Sequence, residues 1–252
     1  MPKKLIAFDL DDTLAISKAP ISDRMAYLMA QLLEKFEVCI ISGGKFDQFK
    51  LQVTERLEIT PELMRKFHMM PTCGTRYYRY DEVKDEWVIQ YAEDLTEAQR
   101  KKIITVLEEE AAKLDLKNPK TWGPIIEDRQ SQIAYSILGQ QAPPEEKYKW
   151  VESHLAIKQE FHRLVSERLP DLEVRMGGST TLDITKLGID KAYGMTKLME
   201  KLQLGKSDIL FAGDKLQEGG NDYPVKAMGI DCIAVEGWED TALVIETILK
   251  VS

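Results

Sequence analysis

Cysteine is scarce and odd in number: Cys39, Cys73 and Cys232 in 252 residues, with no CxxC spacing. That excludes a disulfide framework and the paired thiols of zinc or redox sites, so buried, reduced thiols are expected. Histidine occurs three times, at His68, His154 and His162, without HxxxH or HExxH spacing, and no histidine chemistry is expected. Long apolar runs are missing too: none approaches the ~18 to 20 residues of a membrane span. The stretch Leu5-Ile6-Ala7-Phe8 meets Asp9 too soon for a signal sequence, which points to a cytoplasmic chain with no membrane partner. Basic residues are outnumbered, 34 Lys plus Arg against 42 Asp plus Glu, for a net charge of −8. This is the wrong sign for a nucleic-acid surface, so any anionic ligand must be small and locally held. What is present, 44% apolar and 30% charged residues, is the composition of a folded globular chain of one large or two modest domains.

Three apolar runs each stop at a polar residue: Leu5 to Phe8 at Asp9, Val38 to Ile41 at Ser42, and Ile209 to Gly213 at Asp214. Segments of helical period separate them, about Asp23 to Phe36, Phe46 to Leu57, Lys191 to Leu202 and Glu239 to Lys250. Strand and helix therefore alternate at both chain ends, the pattern of an α/β fold with a Rossmann-like parallel sheet. In such sheets ligands bind beyond the carboxyl ends of the strands, where Asp9, Ser42 and Asp214 would meet. The middle differs. Trp87 to Tyr91 reads as a strand, Thr96 caps a charged helix to Leu114, and alternation in Ile133-Ala134-Tyr135-Ser136 reads as a strand with one wet face. A further helix runs from Pro144 to Arg168. The expectation is an inserted α+β cap domain at 83–186, with 1–82 and 187–252 forming the core. The cluster Tyr77-Tyr78-Arg79-Tyr80 fits a strand leaving the core better than a base-stacking surface.

Asp9-Leu10-Asp11-Asp12-Thr13 sets two carboxylates at i and i+2, which an extended chain presents on one face. Such a pair either shares a proton or holds a hard cation; a solvated turn is the alternative reading. Downstream, Gly213-Asp214 and Gly219-Gly220-Asn221-Asp222 bring further oxygen ligands to a strand end, completing an acidic cradle. Ser42-Gly43-Gly44 offers a hydroxyl and unhindered backbone donors for a phosphate oxygen, and Lys191 offers the cation.

These residues resemble the haloacid dehalogenase superfamily of phosphotransferases, whose motifs DxDxT, Ser/Thr, Lys and GD…ND stand here as 9–13, Ser42, Lys191 and 213–222. The interrupted core resembles the branch with a C2-type cap (subfamily IIB). The resemblance implies that Asp9 is the nucleophile and Asp11 the proton donor and acceptor, with Ser42 and Lys191 holding phosphoryl oxygens. It implies Mg²⁺ bound by Asp9, the Asp11 carbonyl and Asp214, with Thr13, Gly43, Asn221 and Asp222 in support. A cap closing over the site would exclude water.

Within the superfamily the chain resembles the eukaryotic-type phosphomannomutases. Their GDK…GGND loop is matched by 213–222, their IEFR…SPIGR segment by Ile126-Glu127-Asp128-Arg129 and 136–140, and their GG…S-F-D segment by 177–183. The resemblance implies that Arg129, Lys147, Thr181 and Asp183 contact the substrate. Gln140 stands where that family has a second arginine, Lys147 where it has a third, and Lys18 corresponds to a core-side arginine. A neutral amide in place of a guanidinium weakens an anion site. The expectation is therefore a Mg²⁺-dependent phosphatase for a small phosphorylated metabolite, such as a sugar phosphate. A phosphomannomutase-type mutase is the alternative, and a catalytically silent binding module is the alternative of another class. Relatives often pair through their caps, so the resemblance implies a cap-mediated homodimer, although no long apolar helical face in the sequence argues for one.

Overall fold

Apolar runs become strands wherever both faces are covered, and they stop where the chain must present a polar group. In this computed structural model, which describes residues 3–116 and 120–252, the chain begins with β1 (Leu5–Phe8), α1 (Asp23–Lys35), β2 (Glu37–Ile41), α2 (Phe46–Gln52) and α3 (Pro61–Met64). It continues through β3 (Phe67–Met70), β4 (Arg76–Asp81) and β5 (Glu86–Ala92). Next come α4 (Glu97–Lys113), β6 (Ile126–Asp128), β7 (Ile133–Ser136), α5 (Pro144–Arg168), β8 (Leu172–Met176) and β9 (Thr181–Lys186). The last elements are α6 (Lys191–Leu202), β10 (Ile209–Gly213), α7 (Tyr223–Ala227), β11 (Asp231–Ala234) and α8 (Trp238–Val251).

Two compact units result, 1–92 with 190–252 and 93–189. The first holds a seven-stranded sheet in the order β11-β10-β1-β2-β3-β4-β5, parallel except for β4 and β5. All four residues of β1 are buried, as are Val38 to Ile41 of β2. Each large apolar side chain so buried stabilises the fold by about 1.5–3 kcal/mol. Phe8 lies level with both Ala212 and Ile40. That register brings the residues after β1, β2 and β10 out at one edge of the sheet. Helix α1 covers the sheet with Met25, Leu28, Met29, Leu32 and Leu33, and Ser22 Oγ caps it by accepting from the Met25 N–H at 3.2 Å.

Glycine decides how close α6 comes. A Cβ on Gly74 would lie 2.7 Å from the Gly194 Cα, and one on Gly194 would lie 2.6 Å from Ile41 Cδ1. The turn at 72–74 in turn bonds the loop after β2, through Thr72 N–H to Gly44 O (2.8 Å) and Cys73 N–H to Ser42 O (2.9 Å).

The second unit holds an antiparallel sheet in the order β6-β7-β9-β8, and α4 and α5 pack against each other and against this sheet. Ile103, Leu107, Ile133, Phe161, Val165 and Ile184 form its core. Thr96 caps α4 as the sequence predicts, and Gln99 returns the bond to complete a capping box.

Several expectations need correcting. The units divide after Ala92 and Ile189 rather than at 82/83 and 186/187, because β5 pairs with β4 along its whole length and so belongs to the large sheet. Strand β7 has no wet face: all four residues are buried, and the Ser136 hydroxyl is satisfied by Gly139 O at 2.9 Å. Helix α2 stops at Gln52 instead of Leu57, since the Gln52 carbonyl accepts from the Ile21 N–H at 2.8 Å. Helix α5 is broken at His154 (φ −128°, ψ 17°). Of the thiols only Cys39 is fully buried. Among the described residues no helix is long and apolar enough to cross a membrane.

Candidate active site

Asp9, the first residue past β1, is buried, and its N–H donates to Ala212 O at 3.0 Å. Its carboxylate accepts from Lys191 Nζ, which also donates to Asp222 Oδ1 at 2.6 Å. Lys191 opens α6, whose N-cap Asp190 accepts from the Tyr193 N–H at 2.9 Å, so the lysine's backbone is fixed by helix capping. Asp222 reaches the lysine because Gly213 has no side chain; a Cβ there would stand 2.5 Å from Asp222 Oδ2. Lys215 N–H donates to the same oxygen at 3.1 Å, and the Lys215 ammonium pairs with Asp214.

Asp9, Asp214 and Asp222 each offer a carboxylate oxygen within 4.8 Å of the others. This departs from the i, i+2 expectation, because Asp11 is not part of the cluster. The extended chain ends at Phe8, Asp12 takes φ 61°, and Leu10 O accepts from the Leu14 N–H at 2.9 Å. Past that turn the two-residue period of a strand no longer applies. The Asp11 carboxylate instead accepts from the Lys18 N–H (2.7 Å), Gln52 Nε2 (3.2 Å) and Gln48 Nε2 (3.3 Å).

Electrostatics identify what the cluster lacks. Burial raises the Asp9 pKa to about 7, with Asp222 and Asp214 adding to the rise and Lys191 opposing it. Burial likewise raises Asp214, partly offset by Lys215. On Lys191 burial works against the charge, yet Asp222 and Asp9 together outweigh it and lift the pKa above the ordinary lysine range. Both carboxylate rises come first from burial, and the three carboxylates of Asp9, Asp214 and Asp222 share the two ammoniums of Lys191 and Lys215. Asp214 Oδ1 and Asn221 Oδ1 are buried with no hydrogen-bond partner. The clustered oxygens of Asp9, Asp214 and Asp222, with Asp214 Oδ1 unpartnered, are the ligand type a hard divalent cation takes, so these residues fit Mg²⁺.

Ser42 is buried directly after β2, its N–H on Met70 O at 3.3 Å, and begins the loop containing Gly43. Thr13 is fully buried and its Oγ1 has no hydrogen-bond partner. Lys18 (φ 61°) meets Asp11 through its backbone N–H.

The predicted substrate contacts all lie in the second unit. Arg129 is paired with Glu127 through Nε (2.9 Å) and Nη2 (2.8 Å), and its Nη2 reaches Gln140 Oε1 at 3.4 Å. Gln140 is buried and its amide faces Ile125 O and Ala134 O, both at 3.4 Å. Lys147 is buried in the first turn of α5. Thr181 opens β9 and Asp183 follows two residues on, buried. Sequence reasoning missed Gln48 and Gln52, whose only signal is a pair of amides one helical turn apart on α2.

The profile of the eukaryotic phosphomannomutases matches residues 25–251. The chain belongs to the eukaryotic phosphomannomutase family. It is 27% identical to a phosphomannomutase of Encephalitozoon cuniculi over 98% of this chain and 94% of that one. With the Saccharomyces cerevisiae phosphomannomutase it shares 26% identity over 89% and 85%. Phosphomannomutase-type catalysis is thus better supported than the phosphatase that the sequence alone favoured. The fold is also that of a haloacid dehalogenase-like hydrolase from Bacteroides thetaiotaomicron (TM-score 0.62, 17% identity, 98% of this chain and 99% of that one). It is shared as well by a Plasmodium falciparum IMP-nucleotidase (TM-score 0.71, 16% identity, 100% and 68%). The superfamily resemblance carried by the four motifs is borne out, and this phosphomannomutase relative has the expected Rossmann-like core and α+β insert.

Proposed function

We propose that the chain is a hexose-phosphate mutase of the phosphomannomutase type, in which Asp9 takes a phosphoryl group from a sugar phosphate and returns it to a sugar hydroxyl. The observation that carries this reading is the buried Asp9 carboxylate at a strand end, held by Lys191 beside Asp214 and Asp222. An Asp9 oxygen forms the bond to phosphorus as the bond to the sugar oxygen breaks, and Asp11 gives that oxygen its proton. In the return step a sugar hydroxyl attacks phosphorus, Asp9 leaves as carboxylate, and Asp11 recovers the proton. Lys191 holds Asp9 in place and stabilises charge gathering on the phosphoryl oxygens, with the Ser42 hydroxyl as a further donor. Mg²⁺, held by Asp9, Asp214 and the Asp11 carbonyl with Asn221 and Asp222 in support, would screen carboxylate from phosphate. Arg129, Lys147, Thr181 and Asp183 would select the sugar.

One observation favours hydrolysis as a second reading. At position 140 a neutral amide, engaged by Arg129 and by backbone, replaces a second guanidinium, and a mutase must bind phosphate at both ends of its substrate.

The test is incubation with mannose 1-phosphate, Mg²⁺ and a trace of hexose 1,6-bisphosphate. Mannose 6-phosphate is the expected product, and Asp9→Asn should yield none while melting no lower than the parent. Inorganic phosphate without 6-phosphate would replace the mutase by a phosphatase. In that event Gln140→Arg should raise the share of 6-phosphate. Neither product would reject both readings.

A further inference from the structure

Lys158 occupies a place on α5 that helical period assigns to an apolar side chain. Lys158, Phe161 and Val165 recur at i, i+3 and i+7, and all three are buried. Phe161 meets Tyr135 edge-on, and both belong to the core of the second unit. An ammonium in that row carries a desolvation cost that leucine or methionine would not, so it persists only where its donors are met. Main-chain oxygens meet two of them. Nζ lies 2.7 Å from Gly178 O and 3.0 Å from Ser179 O.

Both carbonyls belong to the turn between β8 and β9. That turn is closed by the Gly177 N–H on Thr181 O at 3.0 Å and the Thr181 N–H on Gly178 O at 3.3 Å, and Thr180 O accepts from the Ile137 N–H at 3.0 Å. Its Gly177-Gly178 pair has wide backbone freedom, which the bonds from Lys158 to Gly178 O and Ser179 O further restrict. Thr181 and Asp183 issue directly from it, and side chains two apart in a strand leave on one face.

The geometry points to Lys158 as a positioning residue: its ammonium clamps the turn at 177–181 and so fixes the direction in which Thr181 and Asp183 meet the hydroxyl groups of the sugar. This rests on the sugar-phosphate reading above. Pre-ordering the turn spares that ordering cost on binding, and a misplacement of about 1 Å is enough to lose up to about 100-fold in rate.

Lys158→Met keeps the packing stem and removes the ammonium, while Lys158→Arg keeps charge and donors. In the methionine variant amide hydrogen exchange at 178–181 should quicken while that at 103–111 of α4 stays as it was. Its melting temperature should hold or rise. Its KM for mannose 1-phosphate should rise about tenfold, whereas kcat/KM for para-nitrophenyl phosphate, which has no sugar hydroxyls, should change less than about twofold. Arginine should recover part of the KM. Unchanged exchange, unchanged KM, or equal loss on both esters would overturn the assignment. Failure of the underlying reading shows separately, as a parent protein inert toward both esters, and the exchange measurement then still upholds or overturns the clamp.

Discussion

Asp11 keeps its carboxylate apart from the cluster that holds Asp9, with three N–H donors fixing its two oxygens. Gln52 matters most among them, because its amide also donates to Ala19 O at 2.8 Å and accepts from Gln48 Nε2 at 2.6 Å. Breaking this chain of amides frees the Asp11 carboxylate, the proposed proton carrier, to rotate. Gln52→Leu is expected to slow turnover of a hexose phosphate about 10- to 100-fold, within the range assigned to a positioned acid or base. The initial burst of nitrophenolate from para-nitrophenyl phosphate should be spared, since that leaving group departs as an anion. Steady-state and burst kinetics on the two esters check this.

At the scale of elements, His68 ties three strands together. From β3 its Nδ1 lies 2.7 Å from the Tyr77 hydroxyl on β4, and its Nε2 lies 2.8 Å from Glu37 on β2. Burial pushes its pKa below the ordinary 6.5, outweighing the opposite pull of Glu37. An unfolded chain therefore takes up this proton more readily than the folded one as pH falls below about 6.5. The contribution of His68 is complete above that pH and declines below it, by up to about 1.4 kcal/mol per pH unit. Denaturant titrations from pH 7.5 to 5 should show this slope, and His68→Gln should flatten it.

Elements also show what could be read from sequence. The runs of β1, β2 and β10 are legible because near-continuous burial leaves no polar alternation to misread, and each ends at the residue it delivers to the site. Strand β5 is not. Half-exposed Trp87 to Tyr91 reads as a strand in either sheet, and only its pairing with β4 decides which. The same holds for side chains. Asp9, Lys191 and Asp214 stand in a recognisable order, whereas Gln48 and Lys158 belong to residue types common on any helix, and their roles come from tertiary placement alone.

Over the whole molecule the net charge is −8, and among the described residues Asp9, Asp214 and Asp222 gather their carboxylates around one point. A cation that binds only the folded cluster must stabilise the fold, by about 2.7 kcal/mol when present at 100 times its dissociation constant. The melting temperature should therefore climb with Mg²⁺ and fall back with chelator. In Asp214→Asn the climb should be much reduced, and a full response in that variant would place the ion elsewhere.

Gly74 and Gly194 take no part in the chemistry, yet they set how deeply the helix that begins with Lys191 is seated against the turn beneath it. A methyl added at Gly74, itself at φ 81°, would meet the Gly194 backbone and press that helix outward, drawing the lysine at its head away from its aspartates. Tolerance to change in this chain should thus follow interatomic clearance as closely as reactivity: an inert position such as Gly74 is as restrictive as Asp9.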